Sequence, residues 1–139
     1  MTMSIDNVFD VAGRAMSAQM VRLNTVATNL ANMNSVSGSE DGAFRALRPV
    51  FRTEYESAVG ATGLASVNVE EVVSLERTPE RVHMPDHPSA DDQGYVYRAA
   101  VNREEEMVEM LDASRQYQTT LEAVSTLRTL MARTMSMGR

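Results

Sequence analysis

The residues with the clearest potential for metal chemistry lie in one short segment, residues 83–92, which reads HMPDHPSADD. His83 and His87 are four residues apart and are accompanied by aspartates, which on one helix face would resemble a zinc site. The two prolines of the segment prevent that helix, because proline removes a backbone donor and clashes with the preceding turn. We therefore expect a turn-rich loop, with aspartates making Asx turns before Gly94. A small metal hydrolase that uses the two histidines is the alternative.

Adjacent carboxylates at Glu104–Glu106 and Asp91–Asp92 are the other groups that could act as an acid and a base. Consecutive residues on a helix point in different directions, so we expect the three glutamates to form a solvated helix start. The serines and threonines have no histidine base at a recognisable spacing. Gly60 and Gly63 lack the lysine of a phosphate-binding loop. The sequence therefore predicts neither an active site nor a cofactor.

A long N-terminal helix is predicted from about Ser4 to Asn32, because this stretch contains no proline and only one glycine. Its apolar residues alternate in steps of three and four, which is the heptad pattern of a helix that packs lengthwise against another. The turn-rich residues that follow end the helix. The residues that we assign to an assembly interface on this helix are Ile5, Phe9, Ala12, Met16, Gln19, Leu23, Val26, Asn29, Leu30 and Asn32.

A second long helix is predicted from Asn102 to about Met137, a stretch that again contains neither proline nor glycine. Asn102 with Glu105 three residues later resembles a capping box. The apolar stripe is wider than that of the first helix, so we expect contact with more than one neighbour. The residues assigned to the assembly interface on this helix are Met107, Met110, Ser114, Tyr117, Leu121, Val124 and Met131.

The middle of the chain, residues 36–101, contains all four prolines and five of the seven glycines. Ser66–Glu76 is predicted to be a strand, because valines such as Val67 and Val69 keep one parity and only Glu71 breaks the alternation. A lone hairpin is marginal in water, so these strands need the helices or neighbouring molecules. The weaker strand candidates are Pro49–Glu56, Val82–Met84 and Gly94–Val101, and a turn is expected at Gly60–Gly63.

The predicted fold is mainly α with a small β insertion, in one domain. The N-terminal helix (1–35) and the C-terminal helix (102–139) pair as an antiparallel coiled coil, and the middle segment (36–101) forms loops and a short β-hairpin. Weak or polar positions interrupt the heptads, and such positions set register while reducing stability. This favours assembly with further copies or with a partner over a purely internal helical hairpin. These positions are Ala12, Gln19, Ser114 and Arg128.

Composition excludes several classes of protein. The 139 residues suffice for one modest domain, and 43% hydrophobic with 5% aromatic content suits packed helices. The charge of −6, with arginine as the only basic residue type, argues against nucleic-acid binding. Cysteine is absent, which excludes thiolate sites. We expect neither membrane insertion nor a cleaved signal peptide, because no run of about 20 apolar residues occurs and the start MTMSIDNVFD has no basic region.

Several short motifs at both ends and in the middle of the chain carry a more specific signal. The N-terminal helix contains the spaced motif Gly13, Ala18, Gln19 and Arg22, which is followed by the run NLANMNS at residues 29–35. The other motifs are GAFR at 42–45, PVF at 49–51, PDHPSADDQGYV at 85–96, VN at 101–102, EM at 106–107, ASRQY at 113–117 and MGR at 137–139.

Together these motifs resemble those of the bacterial flagellar rod and hook proteins, and the middle ones resemble the proximal-rod members. The resemblance implies a structural, non-enzymatic subunit of the periplasmic rod, which transmits motor torque. It also implies export through the flagellar type III apparatus without signal cleavage. The implied partners are further copies of the chain and the rod proteins FlgB, FlgF, FlgG and FliE. A soluble coiled-coil adaptor or export chaperone is the alternative function.

The chain departs from the usual family pattern at a few positions. The family usually has Pro-Tyr at Ala43-Phe44, Pro-Asn at Ala99-Ala100 and asparagine at Thr120. We expect local changes there, including one altered hydrogen bond between the helices. Because ordering two long helices costs about 1–2 kcal/mol per residue in backbone entropy, we also expect the ends of the isolated chain to be mobile.

Overall fold

The computed structural model describes residues 5–55 and 65–138, so the turn predicted at Gly60–Gly63 lies outside the described residues. Along the chain, one long helix precedes the strands and a second long helix follows them, which confirms the predicted architecture at this level. The elements are α1 (Ile5–Asn32), β1 (Val36–Ser37), β2 (Leu47–Tyr55), β3 (Ala65–Ser74), β4 (Arg81–His83), β5 (Tyr95–Arg98) and α2 (Arg103–Met137).

Helix α1 has 28 residues and is therefore about 42 Å long. Asp6 lies in its first turn, where a negative charge favours the helix dipole. The helix ends as the sequence predicts. The Asn32 side chain donates a 2.8 Å hydrogen bond to the carbonyl of Thr28, and the Ser35 N–H reaches the carbonyl of Asn32 at 3.0 Å.

Helix α2 has 35 residues and begins at the cap that the sequence indicates. The Asn102 side chain accepts a hydrogen bond from the N–H of Glu105 at 3.1 Å, which satisfies one of the free donors of the first turn. The Glu105 carboxylate does not complete a reciprocal capping box, because it binds Arg48 and Arg77 instead. The first turn of α2 is thus joined to the middle segment.

Strands β2 and β3 form an antiparallel hairpin, so strands occur where the sequence predicts Pro49–Glu56 and Ser66–Glu76. Val50 pairs with Glu71, whereas the next residue, Phe51, pairs with Val69, so Glu70 is an extra residue in β3. This bulge falls beside Glu71, the residue that breaks the apolar alternation of the sequence. A bulge bends the strand and reverses which side chains face each surface.

The remaining strands form a small antiparallel sheet in the order β1-β5-β4. Strands β4 and β5 fall at the weaker strand candidates Val82–Met84 and Gly94–Val101, whereas β1 is not predicted from the sequence. Val96 on the central strand is completely buried. The turn before this strand requires Gly94, whose φ of +80° is a conformation that other residues rarely adopt.

The two helices lie side by side. Residues further along α1 contact residues nearer the start of α2. Gln19 contacts Gln116, Arg22 contacts Glu109, and Asn29 contacts Glu106. The buried apolar side chains are small, namely Ala18, Val26, Ala43, Ala46, Val96 and Ala113.

The largest fully buried side chains include the polar Glu106 and Asn29 besides two valines. Polar contacts therefore carry an unusual share of the packing in the described part of the chain. Neither α1 nor α2 has an apolar stretch of the length and hydropathy that crossing a bilayer requires.

Two glycines give a matched test of this fold. A Cβ at Gly13, within α1, meets no atom within 4 Å, so Gly13→Ala should stabilise the isolated chain by about 0.5–1 kcal/mol. A Cβ at Gly94 lies 3.0 Å from Cβ of Pro85, and the left-handed backbone adds strain of roughly 1–2 kcal/mol. Urea unfolding should show opposite shifts for Gly13→Ala and Gly94→Ala, and a stable Gly94→Ala variant would contradict the assigned turn.

Candidate functional site

A buried carboxylate lies where α1, β2 and α2 meet. Glu106 is fully buried, so the expectation of a solvated helix start is wrong for this residue. Its Oε2 accepts a hydrogen bond from Asn29 Nδ2 at 3.0 Å, and its Oε1 lies 2.7 Å from Nη2 of Arg48. The Arg48 contact is an ion pair without hydrogen-bond geometry, so charge attraction alone compensates Oε1.

Asn29 extends this contact to the backbone of β2. Its Nδ2 donates to the carbonyl of Leu47 at 2.9 Å, and its Oδ1 accepts from the N–H of Leu47 at 2.8 Å. The Asn29 side chain therefore makes the two backbone hydrogen bonds with Leu47, the first residue of β2, that a neighbouring strand would otherwise make. One side chain of α1 thus fixes both the start of the hairpin and the buried carboxylate of α2.

A second carboxylate, that of Glu105, joins the segment after β3 to the first turn of α2. Arg77 Nη2 donates to Glu105 Oε1 at 2.8 Å, and Arg48 Nη2 reaches the same oxygen at 3.1 Å. The hydrogen bond from Arg77, followed by its charge and that of Arg48, lowers the pKa of Glu105, while burial opposes the shift. The same hydrogen bond raises the pKa of Arg77. We name the group Asn29, Arg48, Arg77, Glu105 and Glu106 the Glu106 junction.

A more exposed ion cluster lies further along the helix pair. Arg22 Nη2 lies 2.7 Å from Glu109 Oε2 and 2.9 Å from Asp112 Oδ2. One turn away, Gln19 Nε2 donates to Gln116 Oε1 at 3.0 Å. Gln19 Oε1 is buried and has no hydrogen-bond partner among the described residues. Such an atom is energetically unfavourable unless a further donor reaches it.

The helix pair exposes a continuous apolar side. On α1, Phe9 and the residues that follow it at intervals of seven lie roughly 100–180° around the helix from Arg14 and Asn29, which contact the hairpin. On α2, the apolar residues lie roughly 140–160° from Glu105, which also contacts the middle segment. Both stripes are therefore on the side away from the hairpin. We name the group Phe9, Met16, Leu23, Leu30, Met107, Met110 and Leu121 the apolar face.

The structure divides the predicted interface residues into three groups. Val26 and Asn29 are buried within the chain, where their side chains already have partners. Ile5, Met107, Met110 and Leu121 are exposed. The half-buried remainder comprises Phe9, Ala12, Met16, Gln19, Leu23, Leu30, Asn32, Ser114, Tyr117, Val124 and Met131.

The buried positions of α2 differ by one residue from part of the predicted heptad seam. Glu106 and Ala113 are fully buried, whereas Met107 is 44% exposed and Ser114 is half-buried. Tyr117 and Val124, from the second predicted row, are half-buried like Ser114. The sequence does not predict the burial of Glu106, because a glutamate is expected to be exposed. It does not predict the contact with Arg48, because no local pattern connects Arg48 with Glu106. The only sequence signal was the glutamate at seven-residue spacing before Ala113.

An apolar hollow lies between the two helices near the start of α1. Ile5, Val8 and Phe9 line it from α1, and the side chains that line it from α2 include Leu127, Leu130 and Met131. Phe9 and Met131 also line a second hollow on the neighbouring side. The helices are therefore less closely packed here than at the Glu106 junction.

The segment with two histidines forms a turn-rich loop, as the sequence predicts. Asp91 Oδ1 accepts hydrogen bonds from the N–H groups of Tyr95 and Gln93 at 2.8 and 2.9 Å, and the Tyr95 bond is the main cause of the lowered pKa of Asp91. His83 packs edge-on against the Tyr95 ring, and His87 Nδ1 accepts the N–H of Ser89. Within residues 5–55 and 65–138, no three acidic or histidine side chains converge as metal ligands.

The unusual residues of the chain make mostly backbone contacts. The Ala99 N–H donates to the carbonyl of Ser35, and the Ala100 N–H donates to the carbonyl of Phe44. The Thr120 hydroxyl donates to the carbonyl of Gln116 within α2. The hydrogen bond of Thr120 is therefore internal to the helix.

The lowered pKa of Glu105 predicts how stability depends on pH. The ionised carboxylate stabilises the folded chain above its unfolded pKa of about 4.3, and this contribution disappears as the pH falls through the lower folded pKa. Glu105→Gln should therefore be less stable at pH 7 and should lose less stability on acidification. Urea midpoints between pH 3 and pH 7 measure this, with the exposed Glu104→Gln as control. Parallel pH curves for wild type and Glu105→Gln would contradict the ion-pair assignment.

Known proteins resemble the whole chain. A family profile described as "Flagella basal body rod protein" matches residues 9–38, and one described as "Flagellar basal body rod FlgEFG protein C-terminal" matches residues 92–137. The flagellar basal-body rod protein FlgC of Salmonella typhimurium is 39% identical over 138 residues, which cover 99% of this chain and 100% of that protein.

Two further relatives match this chain over nearly their whole length. FlgC of Escherichia coli O157:H7 is 36% identical over 137 residues, covering 99% of this chain and 100% of the relative. FlgC of Aquifex aeolicus is 36% identical over 132 residues, covering 95% and 96%. The similarity includes both helices and the strands between them, which confirms the resemblance seen in the sequence motifs. The chain therefore belongs to the FlgC family of flagellar basal-body rod proteins.

Proposed function

We propose that the chain is a structural subunit of the flagellar basal-body rod and that it enters the rod through its two helices. The observation that carries the proposal is the full-length similarity to FlgC proteins, combined with an apolar face that is exposed at Met107, Met110 and Leu121 and only half-buried at its α1 residues. The similarity supports a non-enzymatic role, because the relatives are rod proteins. It also favours the rod over an adaptor or export chaperone.

The arrangement of the helices supports an antiparallel coiled coil as the assembling unit. The contacts of Gln19, Arg22 and Asn29 with α2 run in reverse order along that helix. The α2 residues in or near this contact recur at intervals of seven and four, which are spacings of a heptad repeat. These residues are Glu106, Ala113, Tyr117, Val124 and Met131.

The apolar face supplies the driving force for assembly. The residues that α1 contributes to this face are all uncharged and apolar, namely Phe9, Met16, Leu23 and Leu30. Leu121 is 47% exposed in the isolated chain, so a neighbouring helix would remove further apolar surface from water. Each Å² removed contributes about 25 cal/mol.

The same proposal assigns roles to the three parts of the chain. Residues 1–35 and 102–139 are the axial helices, and residues 36–101 form the segment that faces outward or bridges neighbours. The partners are further copies and the rod proteins FlgB, FlgF, FlgG and FliE. We place the subunit in the periplasmic part of the basal body, reached through the flagellar type III apparatus without signal cleavage. The support for these assignments is the family resemblance.

A charge on the apolar face should prevent assembly. Leu121→Asp and Leu23→Asp place a carboxylate where a neighbour would bury it, and an unpaired buried charge costs at least several kcal/mol. We expect both variants to be expressed and to abolish motility in the source cell. Mass spectrometry of purified hook–basal bodies should detect the wild-type chain in several copies beside other rod proteins and should not detect the variants.

The matched control is Thr119→Asp, which places the same charge on an exposed position of α2 away from the apolar face. This variant should be incorporated and should support motility. Circular dichroism of the isolated Leu121→Asp chain separates failure of assembly from failure to fold. A wild-type chain absent from intact basal bodies would overturn the proposed function, whereas incorporation of Leu121→Asp would overturn the assigned face.

Hydrogen exchange should show that the ends of the isolated chain are mobile. No described residue of α2 beyond Ala113 is fully buried, and the buried residues of α1 begin at Ala18. We expect rapid exchange in residues 5–16 and 121–137, with protection concentrated in residues 18–29 and 103–113. Strong protection along the whole of α1 would contradict coupling between folding and assembly.

A further inference from the structure

The buried contacts of α2 are confined to its first turns. Glu106 and Ala113 are its only fully buried residues between Arg103 and Gly138. Beyond them the helix contacts α1 through the hydrogen bond between Gln19 and Gln116 and then mainly through apolar side chains such as Leu130 and Met131 around the apolar hollow. Methionine is flexible and tolerates several packing arrangements. The apolar contacts alone therefore discriminate poorly between alternative alignments of the two helices.

We propose that the Arg48–Glu106 pair, with Asn29, determines the register of α2 on α1. A slide by one heptad would move Met107, Ser114 and Leu121 along α1 but would keep an apolar stripe in contact. The same slide would remove Glu106 from both Asn29 and Arg48. Glu106 would then be a buried carboxylate without a partner, which is strongly destabilising. Only one alignment satisfies this residue.

The Arg22 cluster is a weaker determinant of register. Side chains of Glu109 and Asp112 remain 30% and 47% exposed, so water can solvate them when Arg22 is lost. Glu106 has no access to water, and its oxygens depend on Asn29 and Arg48. A single polar residue in an otherwise apolar helix contact is known to specify register at a cost in stability. The contact between α1 and α2 contains other polar residues, but Glu106 is the polar residue of the described α2 that is fully buried, so its position has the strongest claim to this role.

The register also determines the composition of the apolar face, since both helices contribute to it. This consequence for assembly rests on the proposed function. The register role itself belongs to the isolated chain. It predicts that Arg48 and Glu106, although they lie away from the apolar face, are required for that face to present one arrangement to a neighbour.

Cysteine pairs provide the test, because the chain has no cysteine of its own. Gln19→Cys with Gln116→Cys reports the observed register, since these side chains are in contact. Gln19→Cys with Ala123→Cys reports a slide by one heptad. Both pairs are placed in wild type, in Arg48→Met/Glu106→Gln and in Arg22→Met, and disulfide formation is followed under mild oxidation. Glutamine at 106 keeps an acceptor for Asn29 while both charges are removed.

We expect wild type and Arg22→Met to form only the disulfide between positions 19 and 116. The Arg48→Met/Glu106→Gln chain should also form the disulfide between positions 19 and 123, at a rate within about tenfold of the native pair. Glu106→Gln alone should give the same mixture, which keeps the test valid where the double variant is poorly folded. Formation of the native disulfide alone in both Glu106 variants would overturn the register role.

The outcomes for register and for rod assembly are separable. A double variant that forms both disulfides but is missing from basal bodies containing wild type supports both proposals. Loss of wild type from intact basal bodies overturns the rod proposal and leaves the disulfide result standing. A double variant with mixed register that enters basal bodies as well as wild type overturns the consequence for assembly.

Discussion

The buried side chain of Glu106 is the constraint on which the arrangement of the other elements depends. It is buried in a chain whose other fully buried side chains are mostly alanine and valine, so its partners must be in place when the chain folds. Asn29 brings the end of α1, and Arg48 brings the start of the hairpin. The helices and the middle segment are therefore one folding unit, since none of the three can satisfy this residue alone.

Local structure in this chain is predictable because its causes are local. Proline-free heptads determine both helices, Asn102 caps α2 through a residue three positions away, and Asp91 organises its own turn. The break at Glu71 indicates the bulge of β3. The Glu106 junction was not predictable, because Arg48 and Arg77 are far from α2 in sequence. For the same reason the heptad pattern does not predict the full burial of Glu106, because burial of a glutamate depends on a distant arginine.

Two different forces thus act on the two ends of the helix pair. Near Glu106, directional contacts admit one arrangement, and the packing is close. Near Phe9 and Met131, apolar contacts are adaptable, and hollows remain between the helices. A subunit built in this way has one fixed end and one end that can adjust to a neighbour. This division suits a rod in which subunits of one sequence must fit against more than one kind of partner.

The β2–β3 hairpin lies on one side of the helix pair, and the apolar face lies on the other. A subunit with two unlike sides tolerates growth on the first without interference with the second. Additional residues at the hairpin would enlarge one surface of the assembly, and because loop closure entropy rises only slowly with length, stability would change little. Members of such a family can therefore diversify in size and surface while they retain the same pair of helices.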